Sequence, residues 1–372
     1  MDLVTVLTVN PGSGSLRLHL VDGDRVLDAA EIGHPPRSAD ARAEATAFLN
    51  RLPAPPDVVA HRLVHGGPQV IAPTVLDPRV REAIATAASL APQHVPATLD
   101  LLDLLTDRLP DVPHVVCPDT AFHAHLSEVA RTYPLPERWR ARWGLRRYGF
   151  HGLSFAWAVR RAGTLLGRPP GELNLLVAHL SGGSSVCAVA GGRSVDTSMG
   201  FTPLEGLMMA KRSGSVDPGL LLWLLREGKL TLDELETGLS EHSGLLGLSG
   251  SSSDTRDLVH AVRDGDVKAS FALAVFDHRA RRELAAVAAS LDRVDALVLT
   301  GDIGWDQLEV AEEISAGLGV LGLRGGLDPR RDHDAVISPP GAAVPVLTVR
   351  PREELELART ATVLVRDGAA AR

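Results

Sequence analysis

The sequence predicts a layered α/β protein made of two copies of one strand-and-helix frame. Three observations lead there. Near the N-terminus, "TVLTVNPGSGSLRLHLVDGDRVLDAAEIG" reads as an apolar run, a Gly/Ser loop, an alternating strand, an Asp-Gly turn and a third strand. In mid-chain, "LNLLVAHLSGGSSVCAVAGGRSVDTS" repeats that order with a Gly-Gly turn. Helical periodicity fills the rest of each half, and strands that alternate with helices imply mixed sheets covered by helices. The 372 residues, 45% hydrophobic and 23% charged, suffice for two cores.

Along the first half, the three strands precede the helical stretch "DARAEATAFLNRL". The strand-like "VAHRLVHGG", the helix "PATLDLLDLLTDRL" and the apolar run "HVVCPDT" follow. The helical "LSFAWAVRRAGTLL" leads into the second three-strand unit. After that come the long helix "SFALAVFDHRARRELAAVAASL" and the buried-strand run "VDALVLTGDIG". The two copies are expected to face each other across a cleft, where ligands of such folds sit. Cys117 and Cys187 lie in apolar runs and read as small buried hydrophobes rather than a disulfide.

Charge and hydropathy exclude several roles. The net charge is −8, with a pI near 6.0 and no block of Lys and Arg, so no nucleic-acid partner is expected. No apolar run is long enough to span a bilayer, and the N-terminus lacks a basic leader region. A cytoplasmic protein with no membrane partner is the expectation.

The two Gly/Ser loops each leave a strand, and such loops can cradle phosphates through close backbone N–H groups and serine hydroxyls. Neither the G-x-x-x-x-G-K-[ST] loop nor the protein-kinase set is present. Polar residues in Gly- or Pro-punctuated loops are Asn10, Arg62, Asp119, His151, Arg212 and Glu353. Together they make an inventory for phosphoryl transfer. Arginines clamp carboxylates or phosphates, carboxylates and an amide suit a hydrated magnesium ion, and a histidine can donate to a transferring phosphoryl group. His61 and His65 have a spacing seen in metal sites, but alone they supply no third ligand.

The segments "VNPGSGSLRLHLVD", "AHRLVHGG", "DTAFHAHL", "RRYGFHGLS", "TPLEGLMMAKRSGSVDP", "SGLLGLSGSSSDTRDL", "LVLTGDIG" and "REELELA" resemble, in order, the motifs of acetate kinases. That family belongs with sugar kinases, actin and the heat-shock chaperone ATPases. The resemblance implies two duplicated ribonuclease H-like (actin-type ATPase) α/β domains with mixed sheets flanked by helices and a cleft between them. One domain would take residues 1–121 plus 356–372; the other, residues 122–355, would carry the nucleotide side and a homodimer contact. It further implies reversible transfer of the ATP γ-phosphoryl group to the carboxylate of a short-chain acid, giving an acyl phosphate and ADP with Mg2+ or Mn2+ as cofactor.

Carried over by position, the resemblance makes Asp119, His151 and Arg212 catalytic, and Asn10 and Glu353 the contributors to the metal site. Arg62, Val64, Gln93, Phe150 and Pro203 would bind the acid. The nucleotide would meet Ser13, Ser15, Arg17, His179, Ser181, Gly182, Gly183, Asp254, Arg256, Gly301, Asp302 and Gly304. Several of these positions depart from the family pattern. Arg17 replaces a lysine, Gly182 an asparagine, Asp302 a glycine, Gln93 an acyl-pocket leucine and Phe155 a histidine. Three readings follow: an ATP-dependent acetate or propionate kinase, a relative that uses pyrophosphate or a more polar acid, and a non-catalytic nucleotide or acyl-phosphate sensor. Retention of His151, Arg212, Arg62, Asp119 and Glu353 together speaks against the sensor.

Overall fold

A computed structural model describes residues 4–12, 14–330 and 332–370; Ser13, expected at the nucleotide site, lies outside the described residues. The chain divides into two compact units. The first holds the chain up to Ala124, Phe150–Trp157 and the chain from Arg352 onward; the second holds His125–Gly149 and Ala158–Pro351.

The first unit contains six strands: β1 (Thr5–Pro11), β2 (Leu16–Asp22), β3 (Arg25–Ile32), β4 (Val58–Leu63), β5 (Thr74–Val75) and β6 (His114–Pro118). They lie in the order β3-β2-β1-β4-β6-β5. The second unit contains β7 (Asn174–His179), β8 (Ser185–Ala190), β9 (Arg193–Thr197), β10 (Ala296–Thr300), β11 (Ala335–Val336) and β12 (Val346–Thr348). Their order, read from the β9 edge, is β9-β8-β7-β10-β12-β11.

The two sheets share their pattern of directions as well as their order. β1, β4 and β6 run parallel, as do β7, β10 and β12, while every other neighbouring pair is antiparallel. Even the irregularity repeats. The register shifts between Leu20 and Val21 in the β2–β3 pair and between Ala188 and Val189 in the β8–β9 pair. The expected duplication is thus present strand for strand.

Side-chain alternation sorts each strand of the first sheet onto two cores. Leu7, Val9, Leu16 and Leu18 pack with Phe48 of helix Ala39–Arg51 and with Leu101 and Leu105 of helix Val95–Arg108. On the other face, Val6, Val58, Ala60 and Val115 pack with Leu153 and with Leu357 and Ala361 of helix Glu353–Ala370. Covered on both faces, β4 and β6 are almost wholly buried and read as continuous apolar runs. In the second unit, Leu176, Ala188, Leu297 and Leu299 pack against Phe276, Ala280 and Leu284 of helix Val267–Ala288. Cys117 and Cys187 are free and buried, as the apolar runs imply. Among the described residues no helix is long and apolar enough to cross a membrane.

Phe150–Trp157 and the residues from Arg352 group with the first unit, whereas the expected boundaries put them, up to residue 355, in the C-terminal domain. The reason is close packing. A Cβ on Gly152 would stand 2.1 Å from the Asp119 carbonyl oxygen, so the start of helix Gly152–Leu166 lies against the end of β6. Leu153 then enters the core beside Leu355 and Leu357.

Candidate active site

The parallel strands β1, β4 and β6 end at one edge of the first sheet, and their C-terminal residues supply the polar cluster. Ligands of α/β sheets bind at such ends. Asn10 follows Val9, which pairs with His61; Arg62 pairs with Cys117, two residues before Asp119. Arg62 turns its fork toward Asp119: Nη2 donates to Oδ2 at 2.7 Å, and Nε reaches both carboxylate oxygens at 3.1 and 3.2 Å. Its Nη1 donates to Asn10 Oδ1 at 2.9 Å and stands 3.4 Å from Glu353 Oε2. Asn10 Nδ2 in turn donates to Glu353 Oε2 at 2.8 Å. Strand ends and the start of helix Glu353–Ala370 therefore bring four residues from distant parts of the chain into one network.

Burial sets the charges of this network. The Asp119 side chain is 1% exposed. Burial pushes its carboxyl up to about 6, and nearby Glu353 adds to that rise, while Arg62 and the His151 backbone N–H pull it back down. Burial also works against the charge of Arg62, but Asp119 and Glu353 outweigh it and hold the guanidinium above its ordinary value. Two carboxylates face one arginine. With both ionised, the cluster keeps one negative charge in excess.

His151 is placed by its backbone. It is the one non-glycine residue with positive φ, 59°, among the described residues, and histidine is one of the side chains that tolerate this region best. The strain, of order 1 kcal/mol, is held by its neighbours. Phe150 is buried, its carbonyl bonded by His123 Nε2 at 2.9 Å and its ring edge-on to His65; Gly152 lies against Asp119. The His151 N–H then meets the Asp119 carboxylate. Val64 is buried just beyond β4. Gln93, expected at the acid site in place of an acyl-pocket leucine, does not lie in the core. It is exposed in the turn before helix Val95–Arg108, so its amide meets solvent and carries no burial penalty.

His61 and His65 go separate ways. His61 Nε2 lies 2.9 Å from His114 Nδ1 inside the sheet, while His65 Nδ1 accepts from the Gly67 N–H. No cluster of three metal-ligating His, Cys, Asp or Glu residues occurs among the described residues. Arg17 is the register partner of Asn10 and shares its face, but it is half-exposed and stands 3.7 Å from Glu31. Ser15 closes the loop after β1 by accepting from Gly12 N–H at 2.8 Å.

In the second unit the loops after β7 and β10 meet. Gly301 has φ +82°, and a Cβ there would lie 2.4 Å from the Leu180 carbonyl oxygen, so only glycine allows this approach. Ser181 Oγ donates to Asp302 Oδ2 at 3.0 Å, and Ser184, which the sequence reading does not single out, ties the loop through its hydroxyl to Ser181. His179 is buried at the end of β7; Gly182 and Gly183 follow, with open space where a Gly182 side chain would stand. Asp254 caps helix Thr255–Arg263, and Arg256 Nε stands 3.4 Å from Asp306 Oδ2. Gly304 N–H bonds the Leu180 carbonyl. The structure thus joins Ser181 to Asp302, and Arg256 to the helix Gly301–Asp306 that carries Asp302.

Arg212, also in the second unit, is largely buried, and burial lowers its pKa. Its Nη1 donates to the Pro203 carbonyl at 3.2 Å, and among the described residues no carboxylate lies within ion-pair distance. A sequestered guanidinium with only a neutral partner is a seat for an anion.

Comparison with known proteins bears on this geometry. The model of the acetokinase family matches residues 46–359. The chain is 48% identical over 314 residues to an acetate kinase of Deinococcus radiodurans, covering 82% of this chain and 78% of that one. It is 40% identical to an acetate kinase of Leifsonia xyli, covering 98% and 99%. Among solved structures, it superposes on Porphyromonas gingivalis acetate kinase with TM-score 0.87 and 30% identity, covering 97% and 100%. A propionate kinase from Francisella tularensis gives TM-score 0.88 and 28% identity over 96% and 99%.

Proposed function

The chain belongs to the acetokinase family and is a phosphotransferase with a carboxylate acceptor, of the acetate kinase type; on that premise we propose how its residues perform the transfer. A carboxylate oxygen of a short acid such as acetate attacks the γ-phosphorus of ATP in line. The new C–O–P bond forms as the bond to the β-phosphate oxygen breaks, giving acyl phosphate and ADP. Little covalent work falls to the protein in such a transfer, so positioning and charge stabilisation carry it.

The observation that carries this reading is Arg212, a partly buried cation that pairs with no carboxylate among the described residues. It holds the equatorial oxygens of the transferring phosphoryl group. Arg62 has committed three contacts to Asp119 and one to Asn10, and of its five donors at least one terminal N–H remains for the acid or the phosphoryl group. His151 donates to the same developing charge from its constrained backbone position. Val64 and Phe150, both buried in the first unit, supply apolar surface for the acid.

A magnesium ion fits the donor set of Asn10, Glu353 and Asp119: hard oxygens, one excess negative charge and too few ligands for a dry cage. Held there, it would supply positive charge to offset that of the phosphates. In the second unit, the loops of Ser181 and Asp302, with Arg256, take the nucleotide. Asp302 favours a second reading, because its carboxylate engages Ser181 rather than a cation and brings negative charge to that loop. At about 4 Å from a phosphate oxygen it would oppose ATP binding by up to about 4 kcal/mol at an effective dielectric of about 20; a small donor such as pyrophosphate is favoured on this reading only where it sits clear of Asp302. A homodimer joined through the second unit completes the proposal.

The test is kinetic. Arg212→Ala and His151→Ala should each lower kcat by about two orders of magnitude or more, on the scale of a lost oxyanion donor, with much smaller changes in acid and nucleotide affinity. Near-normal kcat in either variant removes that residue from the mechanism.

A further inference from the structure

We infer that Arg147 is a positioning residue for Arg212, acting through the segment that carries Pro203. The inference rests on the catalytic reading of Arg212 and extends it to a residue with no part in the proposed chemistry. The Arg147 side chain is mostly buried, 17% exposed, and both its terminal nitrogens are engaged. Nη1 donates to three successive backbone carbonyls, those of Thr197, Ser198 and Met199, at 3.1, 3.0 and 3.0 Å. Nη2 donates to Glu205 Oε1 at 2.7 Å. One guanidinium therefore ties the end of β9 to a residue eight positions beyond Thr197, spanning the loop between them.

The loop has further ties at both ends. The Tyr133 hydroxyl donates to Glu205 Oε2 and accepts from the Phe201 N–H at 2.8 Å. Tyr148 N–H bonds the Gly200 carbonyl at 3.0 Å, and Arg147 N–H bonds that of Arg131 at 2.8 Å. A side chain at Gly200 would displace this clamp: a Cβ would stand 1.7 Å from Glu205 Oε2 and 2.0 Å from the Tyr133 hydroxyl. Directly after Glu205, Gly206 and Ser215 exchange two hydrogen bonds of 2.9 Å, closing the neck of the loop that bears Arg212.

Pro203 lies inside the clamped segment, and its carbonyl is the acceptor for Arg212 Nη1. The chain of contacts thus runs from Arg147 to Thr197–Met199 and Glu205, from these to Pro203, and from Pro203 to the Arg212 guanidinium. A lysine keeps the charge of Arg147 but has no planar fork, so it cannot hold the carbonyls and Glu205 at once. Displacing a catalytic group by about 1 Å can lower turnover by about a hundredfold.

Four proteins decide the matter: the natural chain, Arg147→Lys, Arg212→Ala and the double variant, each checked for native circular dichroism and melting. Arg147→Lys is expected to lower kcat by about tenfold or more, leaving KM for the nucleotide within about twofold, and in the Arg212→Ala background to lower kcat by less than about twofold. Tyr133→Phe, which removes one hydroxyl from the same clamp, should show the same split in milder form, and it serves should Arg147→Lys fail to fold. Equal fold-losses by Arg147→Lys in both backgrounds would make Arg147 a general structural residue and overturn the inference. So would native kcat in both Arg147→Lys and Tyr133→Phe. Near-native kcat in Arg212→Ala would instead remove the catalytic reading of Arg212, and the positioning role with it.

Discussion

Asp119 stands between two opposed demands, burial that favours its neutral form and Arg62 that favours the carboxylate, and its carboxyl is pushed up to about 6. The sign matters for activity. As pH falls through about 6 the free enzyme gains a proton at Asp119 and loses the excess negative charge of the cluster, which on the proposed reading weakens the hold on a divalent cation. The prediction is an acid limb in kcat/KM near pH 6 that moves to lower pH as Mg2+ is raised, because cation and proton compete. A limb indifferent to Mg2+ and still present in Asp119→Asn would show that another group titrates. Asn10, Arg62, Asp119 and Glu353 were legible in the sequence because each sits where a strand gives way to a loop or a loop to a helix. The exposure of Gln93 was not legible. It depends on which way a turn faces, and no local pattern records that. The partners of Arg147 were equally hidden, since three are backbone carbonyls, which have no side-chain signature.

Among elements, the long ones were plain from periodicity: β1 to β3, β7 to β9, and helices Ala39–Arg51, Val95–Arg108 and Val267–Ala288. The two-residue strands β5 and β11 were not, because a period of two needs more residues than they have. Helix Pro218–Arg226 departs from the amphipathic rule. Leu220, Leu222, Trp223 and Leu225 are 45%, 58%, 51% and 37% exposed, and Leu232 follows at 66%. A helix that is apolar on its exposed faces is usually covered. A second copy of this chain is the proposed cover. Sedimentation of the natural protein should give a dimer, and Trp223→Glu should shift it toward monomer. A natural monomer at tens of micromolar, or a Trp223→Glu dimer as tight as the natural one, would mean that the apolar helix has another use.

At the scale of the whole molecule, the duplication was visible in sequence because each copy repeats a strand, a Gly/Ser loop, a strand and a tight turn, and the sheets follow it through order, direction and register shift. Which residues belong to which unit was less visible. Phe150–Trp157 joins the first unit through Gly152 and Leu153, a choice made by tertiary packing rather than by local pattern. Chemistry has diverged between the copies: strand ends in the first unit carry Asn10 and Arg62, whereas the matching ends in the second carry His179 and Thr300. On the proposed function, one frame used twice serves as an acid-activating half and a nucleotide half. The most direct measurement is product formation by the full chain with ATP, Mg2+ and acetate, trapping acyl phosphate as its hydroxamate while following ADP. Hydroxamate and ADP should appear one for one, and both should be strongly reduced in Arg212→Ala. ADP without hydroxamate would contradict the transfer to a carboxylate, and hydroxamate from pyrophosphate but not from ATP would replace the ATP reading with the second one.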